Sequence, residues 1–344
     1  MLNLFMQALL LLLAASCSTT AIPLPDAASG TFLVSPNTNA TTGLGVPVHA
    51  PVDPRFRAHV AVEGSQVLDT DTGLLAMTQM MYQISLKDYN GIMSPAAYVS
   101  GTSELVSVEI KVPPGRYFIA TQYAVWGSQL LGEHILSHRA VRNVVWTMTW
   151  DGNPVGHIEI TRRPPAQLSI SGSGGGNNRD PVPLTDANFR LETQLRAAVA
   201  AAVVPGDSAE EMTLRLPLRD DRVAMGYRVI RNKPMTKWEL FANIFGALGF
   251  VSSFPPREKS RQTWVYTSNI FPETHISYLP ERDVEYQLRA WAAYLTAVHI
   301  VQNQLLFSLA LTIKLDGEVV CKGAIYRGNV APRLLPGSTD LSKS

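Results

Sequence analysis

Residues 126–160 read WGSQLLGEHILSHRAVRNVVWTMTWDGNPVGHIEI, and residues 291–325 read WAAYLTAVHIVQNQLLFSLALTIKLDGEVVCKGAI. Laid over each other without a gap, at a shift of 165 residues (291 − 126), the two stretches pair Trp126 with Trp291, Leu130 with Leu295 and His134 with His299. Ile135 pairs with Ile300, Thr147 with Thr312, Asp151 with Asp316, Gly152 with Gly317, Val155 with Val320 and Ile160 with Ile325. Self-similarity at a fixed offset is the mark of a chain built from two versions of one unit. Within each copy, Trp, Leu and His recur every four residues, which puts them on one face of a helix. The β-rich run that follows turns at Asp-Gly and returns, which is a hairpin. Asp151 and Asp316 are thereby explained as turn residues rather than as a carboxylate pair.

Working outward in the first half, residues 56–63 alternate as a strand. Asp71-Thr72-Gly73 offers cap chemistry for a helix in which Leu74, Met77, Met81 and Ile84 form the inner stripe. Residues 104–112 alternate again and end at Pro113-Pro114-Gly115, and the helix of the repeated stretch is expected from about residue 116 to 138. In the second half, residues 212–218 match the strand at Phe56 only if a gap is allowed. Thr236, with Glu239 three residues on, reads as a capping box opening a helix with Trp238, Phe241, Ile244, Phe245 and Leu248 on its stripe. Residues 262–268 read as a strand and 281–301 as the second copy of the key helix.

The expected fold is therefore α+β: two similar halves from an internal duplication, each a small antiparallel or mixed sheet with two helices on one face. A pseudo-two-fold axis is expected to relate the halves. The boundaries follow from composition. Residues 1–21 hold an apolar run and then small residues, the pattern of a secretory signal peptide. Residues 22–54 form a Pro/Thr/Asn-rich extended arm with the one glycosylation sequon, at Asn39. The first repeat spans 55–163, a Gly/Ser/Pro linker 164–183, the second repeat 184–328, and a polar tail 329–344. Leader, arm and sequon together have the style of a secreted, fungal-like glycoprotein.

The 344 residues are 46% hydrophobic and 17% charged, with a net charge of +1, so a large core is expected and nucleic acid is not an expected partner. No membrane span is expected beyond the leader. Cys17 lies in the leader, which leaves Cys321 as a lone buried thiol on a strand.

Reaction signatures are absent from the sequence. The glycines at 171–178 are followed by no Lys-Ser, as a phosphate loop needs, and form no nucleophile elbow. His134 and His138 stand four apart on a helix, but Ile135 takes the place of the acid a metalloprotease requires, and Asn303 replaces the second His in the other copy. No metal and no cofactor are expected. The candidate ligand-binding set is Trp126, His134, Trp291 and His299, read either as packing residues or as the lining of a cleft between the halves. These observations point to a secreted, non-enzymatic protein that binds a small apolar ligand or an extracellular protein partner. The rival is a cyclase-like enzyme of secondary metabolism that shapes an apolar molecule in that cleft.

Overall fold

A computed structural model describes residues 52–100, 105–163, 212–215 and 223–328. The leader, Asn39, the Gly/Ser linker and the tail lie outside the described residues.

In the first unit, β1 (Phe56–Val67) leads into α1 (Thr70–Ser85), and a short β2 (Ile92–Met93) follows. Then come β3 (Ala96–Ser100), β4 (Leu105–Lys111), β5 (Ile119–Ala120), α2 (Thr121–His138), β6 (Arg142–Trp150) and β7 (Asn153–Arg163). The second unit repeats that order: β9 (Val223–Pro234), α3 (Lys237–Val251), β10 (Lys259–Ser260), β11 (Trp264–Thr267) and β12 (Thr274–Pro280). It continues with β13 (Val284–Glu285), α4 (Tyr286–Asn303), β14 (Phe307–Leu315) and β15 (Glu318–Arg327), while an added strand, β8 (Met212–Arg215), precedes β9. The first main sheet runs β1-β6-β7-β4-β3 and the second β8-β9-β14-β15-β12-β11, so the shared strands occupy the same places in both. Every pairing is antiparallel. The protein is thus a mixed α/β molecule with four helices among the described residues.

The local causes are visible in the caps and turns. Asp69, two residues before the expected cap, accepts the backbone N–H of Thr72 at 2.8 Å and starts α1. Thr236 and Glu239 form the expected capping box on α3, and the Glu239 carboxylate, 2% exposed, also pairs with Arg327 of β15. Both hairpins turn through Asp-Gly with positive φ at each residue, 48° and 78° at Asp151-Gly152 and 55° and 83° at Asp316-Gly317, the type I′ geometry that suits strand twist.

Three expectations need correction. The strand that corresponds to β1 is β9, not residues 212–218; Met212–Arg215 is an extra edge strand on β9. From β1 and β9 through the first helices the shift is a constant 167 (236 − 69 at the caps), so no gap is needed there. Helix α2 begins at Thr121 rather than near 116, because Ile119 and Ala120 pair with Met93 and Ile92 before the helix starts. The strands β3 and β12 were not expected at all. Residues 276–278 of β12 are buried on both faces, and the alternation of Ile276, Ser277 and Tyr278 is too short to mark a strand.

The four helices form a layer between the two sheets. Helix α1 packs on β3 and β4, α2 on β6 and β7, and α3 on β11 and β12. Within the layer α1 packs against α2, α3 and α4, and α3 packs against α2 and α4. Helix α3 is buried on every side from Glu239 to Val251, consistent with its position. Side chains such as Phe241, Ile244 and Leu248, all fully buried, contribute on the order of 1.5–3 kcal/mol each.

Contacts between the units are specific. Tyr82 of α1 stacks on Tyr294 of α4, with centroids 5.0 Å apart and planes 8° from parallel. Asp71 of α1 pairs with Lys237 of α3 and accepts Gln304 Nε2 at 3.2 Å from the end of α4. A Cβ on Gly132 of α2 would stand 2.9 Å from the Phe245 ring of α3, so that close approach requires glycine. Among the described residues no helix is long and apolar enough to cross a membrane.

Candidate functional site

The two histidines of the repeat hold equivalent places one turn before the ends of α2 and α4, and both helices close on a left-handed residue, Arg139 and Gln304, each at φ 50°. Their surroundings differ. His134 is half-buried; its Nε2 lies 3.8 Å from Glu63 of β1, and its ring is 4.2 Å from His138 and 5.4 Å from Trp146. Burial, then the neighbouring His138, pulls its pKa down, while Glu63 opposes the shift. His138 spends its Nδ1 on the carbonyl of His134 at 2.8 Å, a helix-terminal bond rather than a ligand geometry. Among the described residues no group of three metal-ligating side chains forms.

His299 is fully buried and stacked on Tyr227 of β9 at 4.3 Å. Asn303 Nδ2 donates to its Nδ1 at 3.0 Å, which assigns the proton to Nε2, and that buried Nε2 has no partner. Burial lowers its pKa to about 4, so the ring is neutral at physiological pH.

Trp126 sits in an aromatic cluster with Phe56 at 5.3 Å, Tyr123 at 6.0 Å, Trp150 at 6.4 Å and Tyr89 at 6.5 Å, and Arg55 covers Trp150 at 4.2 Å. Trp291 is equally buried, but the positions matching Phe56, Tyr123 and Trp150 hold Val223, Leu288 and Leu315. The ring and polar contacts of Trp126, His134 and His299 are each with residues of their own unit. The helices that carry the two Trp/His pairs pack on α1 and α3 rather than substantially on each other.

Two features not expected from the sequence separate the units. The first is a surface. Ile92 and Phe118 lie on the outward side of the β2–β5 ladder, opposite the buried Met93 and Ile119. Ile92 is 66% exposed, Tyr117 79% and Phe118 53%, three of the six large hydrophobic side chains that stand out on the described surface. In the second unit the matching ladder pairs Lys259 with Glu285, and the places of Tyr117 and Phe118 hold Arg282 and Asp283.

The second feature is an interior. Between α4 and the second sheet lie Tyr227, Tyr278, Arg289, Thr296, His299 and Cys321, all at 2% exposure or less. Strand register and the 165-residue shift match the first five to Val60, Ile110, Ala124, Leu131 and His134, and Cys321 to Gly156. A layer that is almost wholly apolar in the first unit is polar in the second. Cys321 is the buried thiol the sequence suggests; burial pushes its pKa up to about 12 against the pull of nearby Arg289, so it stays protonated. Neither feature could be read from one stretch, since each depends on residues brought together from distant strands and helices.

No family model matches the sequence, and no curated protein does. Among solved structures, the chain overlaps the tandem DUF26 ectodomain of the Arabidopsis thaliana cysteine-rich receptor-like protein PDLP8 at 7% identity and a TM-score of 0.20, covering 79% of this chain and 98% of that one. The tandem DUF26 ectodomain of PDLP5, also from Arabidopsis thaliana, overlaps at 8% identity and TM-score 0.20 with the same coverage. A protein of unknown function with a hot dog fold from Alicyclobacillus acidocaldarius overlaps at 11% identity and TM-score 0.12, covering 81% of this chain and 96% of that one. Superpositions this loose define no common fold, and the architecture rests on this chain's own strand order.

Proposed function

We propose that the protein is secreted and acts outside the cell without catalysis, docking a protein partner through Ile92, Tyr117 and Phe118. The observation that carries this reading is the contrast between the units at one structural position. Packing does not require apolar side chains there, since the second unit fills it with Lys259, Arg282 and Asp283. Clustered exposed apolar side chains mark contact surfaces in soluble proteins, and aromatic residues carry much of the energy of such contacts. The signal-like leader and the Asn39 sequon support an extracellular setting. Trp126, His134, Trp291 and His299 enter this reading as packing residues of the two units.

We also read the units as related by a pseudo-two-fold axis that passes between α1 and α3. Exchange of the units turns the α1–α4 contact into the α3–α2 contact, and both occur. The Tyr82–Tyr294 stack then corresponds to Gly249 beside Gln129, where a Cβ on the glycine would meet the glutamine side chain.

The test exchanges the second unit's residues into the first: Ile92→Lys, Tyr117→Arg and Phe118→Asp together. Cross-linking in the culture medium and at the cell surface should capture a partner with the unaltered protein and lose it with the triple variant, while the melting temperature stays within a few degrees. The same proteins captured by both would sink the reading. N-terminal sequencing of secreted material checks the leader.

A further inference from the structure

Arg289 is 1% exposed, yet among the described residues no carboxylate answers its charge. Its Nη1 donates to the Gln262 carbonyl at 3.4 Å, its Nη2 donates to the Ser260 carbonyl, and its carbon Cζ lies 5.0 Å from the Tyr286 ring centre. The ionisable neighbours that act on it are a thiol and two phenols, Cys321, Tyr286 and Tyr278, rather than a carboxylate. A buried, unanswered guanidinium is costly, and natural interiors supply a counter-charge.

The surrounding groups aggravate the imbalance. Arg289 Nε, Tyr278 Oη and Trp264 Nε1 are all buried without a partner. The first and third can only donate, and the phenol donates readily. Trp264 and Tyr278 face each other across β11 and β12 with ring centres 4.8 Å apart, and Arg289 is bonded to the segment just before Trp264. Three donors and one fixed positive charge thus share a region in which no acceptor of matching charge stands among the described residues. The first unit has Ala96, Ile110 and Ala124 at these positions, so neither the fold nor its packing demands them.

We propose that the second unit binds a small monoanion, of the carboxylate or halide class, among Arg289, Tyr278 and Trp264. A single charge matches the one guanidinium; a dianion would leave a second charge unanswered in the same interior. This site is independent of the surface reading above, and it lies on the opposite unit.

The test follows the indole N–H resonance of Trp264 and the thermal midpoint of the full chain during titration with formate, chloride and sulfate at matched ionic strength. Saturable shifts of both with formate or chloride, and little with sulfate, are expected. Whichever of the two ions binds more tightly identifies the class. Tyr278→Phe removes a donor and keeps its ring, Trp264→Phe removes a donor with some loss of ring volume, and each should weaken the apparent affinity about ten-fold or more. Arg289→Met should abolish the response; should it fail to fold, the two aromatic variants decide the matter. No saturable response in the unaltered protein, or affinities unchanged in both Phe variants, would overturn the proposal.

Discussion

The first unit leaves its repeated histidine half-buried above an apolar helix–sheet layer; the second buries its histidine fully within a polar one. His134 is half-buried beside Glu63, over a layer that offers Val60, Ile110 and Ala124. His299 is fully enclosed against Tyr227, within a layer that also holds Tyr278 and Arg289. At the far end the contrast flips again: Ile92, Tyr117 and Phe118 face solvent in one unit, and Lys259, Arg282 and Asp283 occupy those places in the other. The sheet order is common, so the backbone is retained while chemistry has moved to opposite places. The common scaffold carries a changed surface in one unit and a changed interior in the other, while both units still contribute their helices to the shared layer.

Four measurements would break or sharpen this contrast. The largest effect is expected from truncating the repeated tryptophans. Trp126→Ala and Trp291→Ala should each cost about 3–5 kcal/mol in urea unfolding. The aromatic cluster around Trp126 should put its loss at the upper end. A negligible cost at either site would show that the two units do not use the residue alike.

Next comes pH. His299 has its pKa held at about 4 in the folded chain, below its ordinary value of 6.5, so the unfolded chain binds the extra proton first. Its contribution is complete above about pH 6.5 and fades as the pH falls towards 4, on the order of 3 kcal/mol at most. Glu133 of α2 has the opposite sign: burial raises its carboxyl to about 7, so stability declines as the pH rises from its ordinary 4.5 through 7. Unfolding at pH 5 and pH 8 should show His299→Leu removing much of the acid-side loss and Glu133→Gln relieving the alkaline-side one. Unchanged pH profiles in both variants would contradict these assignments.

Gly132→Ala forces a methyl group against Phe245 and should cost about 1–3 kcal/mol. The matching position in α4 is Ala297, which already carries that methyl group; Ala297→Gly should cost only about 0.5–1 kcal/mol. Effects of about the same size as that of Ala297→Gly belong to the helix caps. Asp69→Ala and Thr236→Ala should each lose about 1 kcal/mol, with Thr236 losing more because its capping box is reciprocal. Equal losses would mean that the box adds nothing over a single cap.

The repetition was legible where the shift stays constant at 165, from the second helix of each unit through its hairpin, because turn and helix residues there survive in both copies. The β1 and β9 match is hidden in the sequence because Val223 to Pro234 shares almost no residue types with β1, and the run at Met212 imitates the alternation better. Strand β12 does not stand out because its alternation covers only His275 to Tyr278 before Leu279 and Pro280 break it. The polar interior was invisible for a different reason. Trp264, Tyr278, Arg289 and Cys321 become neighbours only through strand register, and each taken alone resembles an ordinary core or surface residue. Tyr117 and Phe118 misled because they continue the apolar pattern of the following helix, from which the β2–β5 pairing separates them.

The shared helix layer bears on how the molecule comes apart. Each pair of helices has its sheet on one side and the other pair on the other, so a half-chain made alone would show water the apolar backs of α1 or α3. The described portion should therefore melt in one cooperative step. Two separately produced fragments, each aggregation-prone, should recover native structure when mixed.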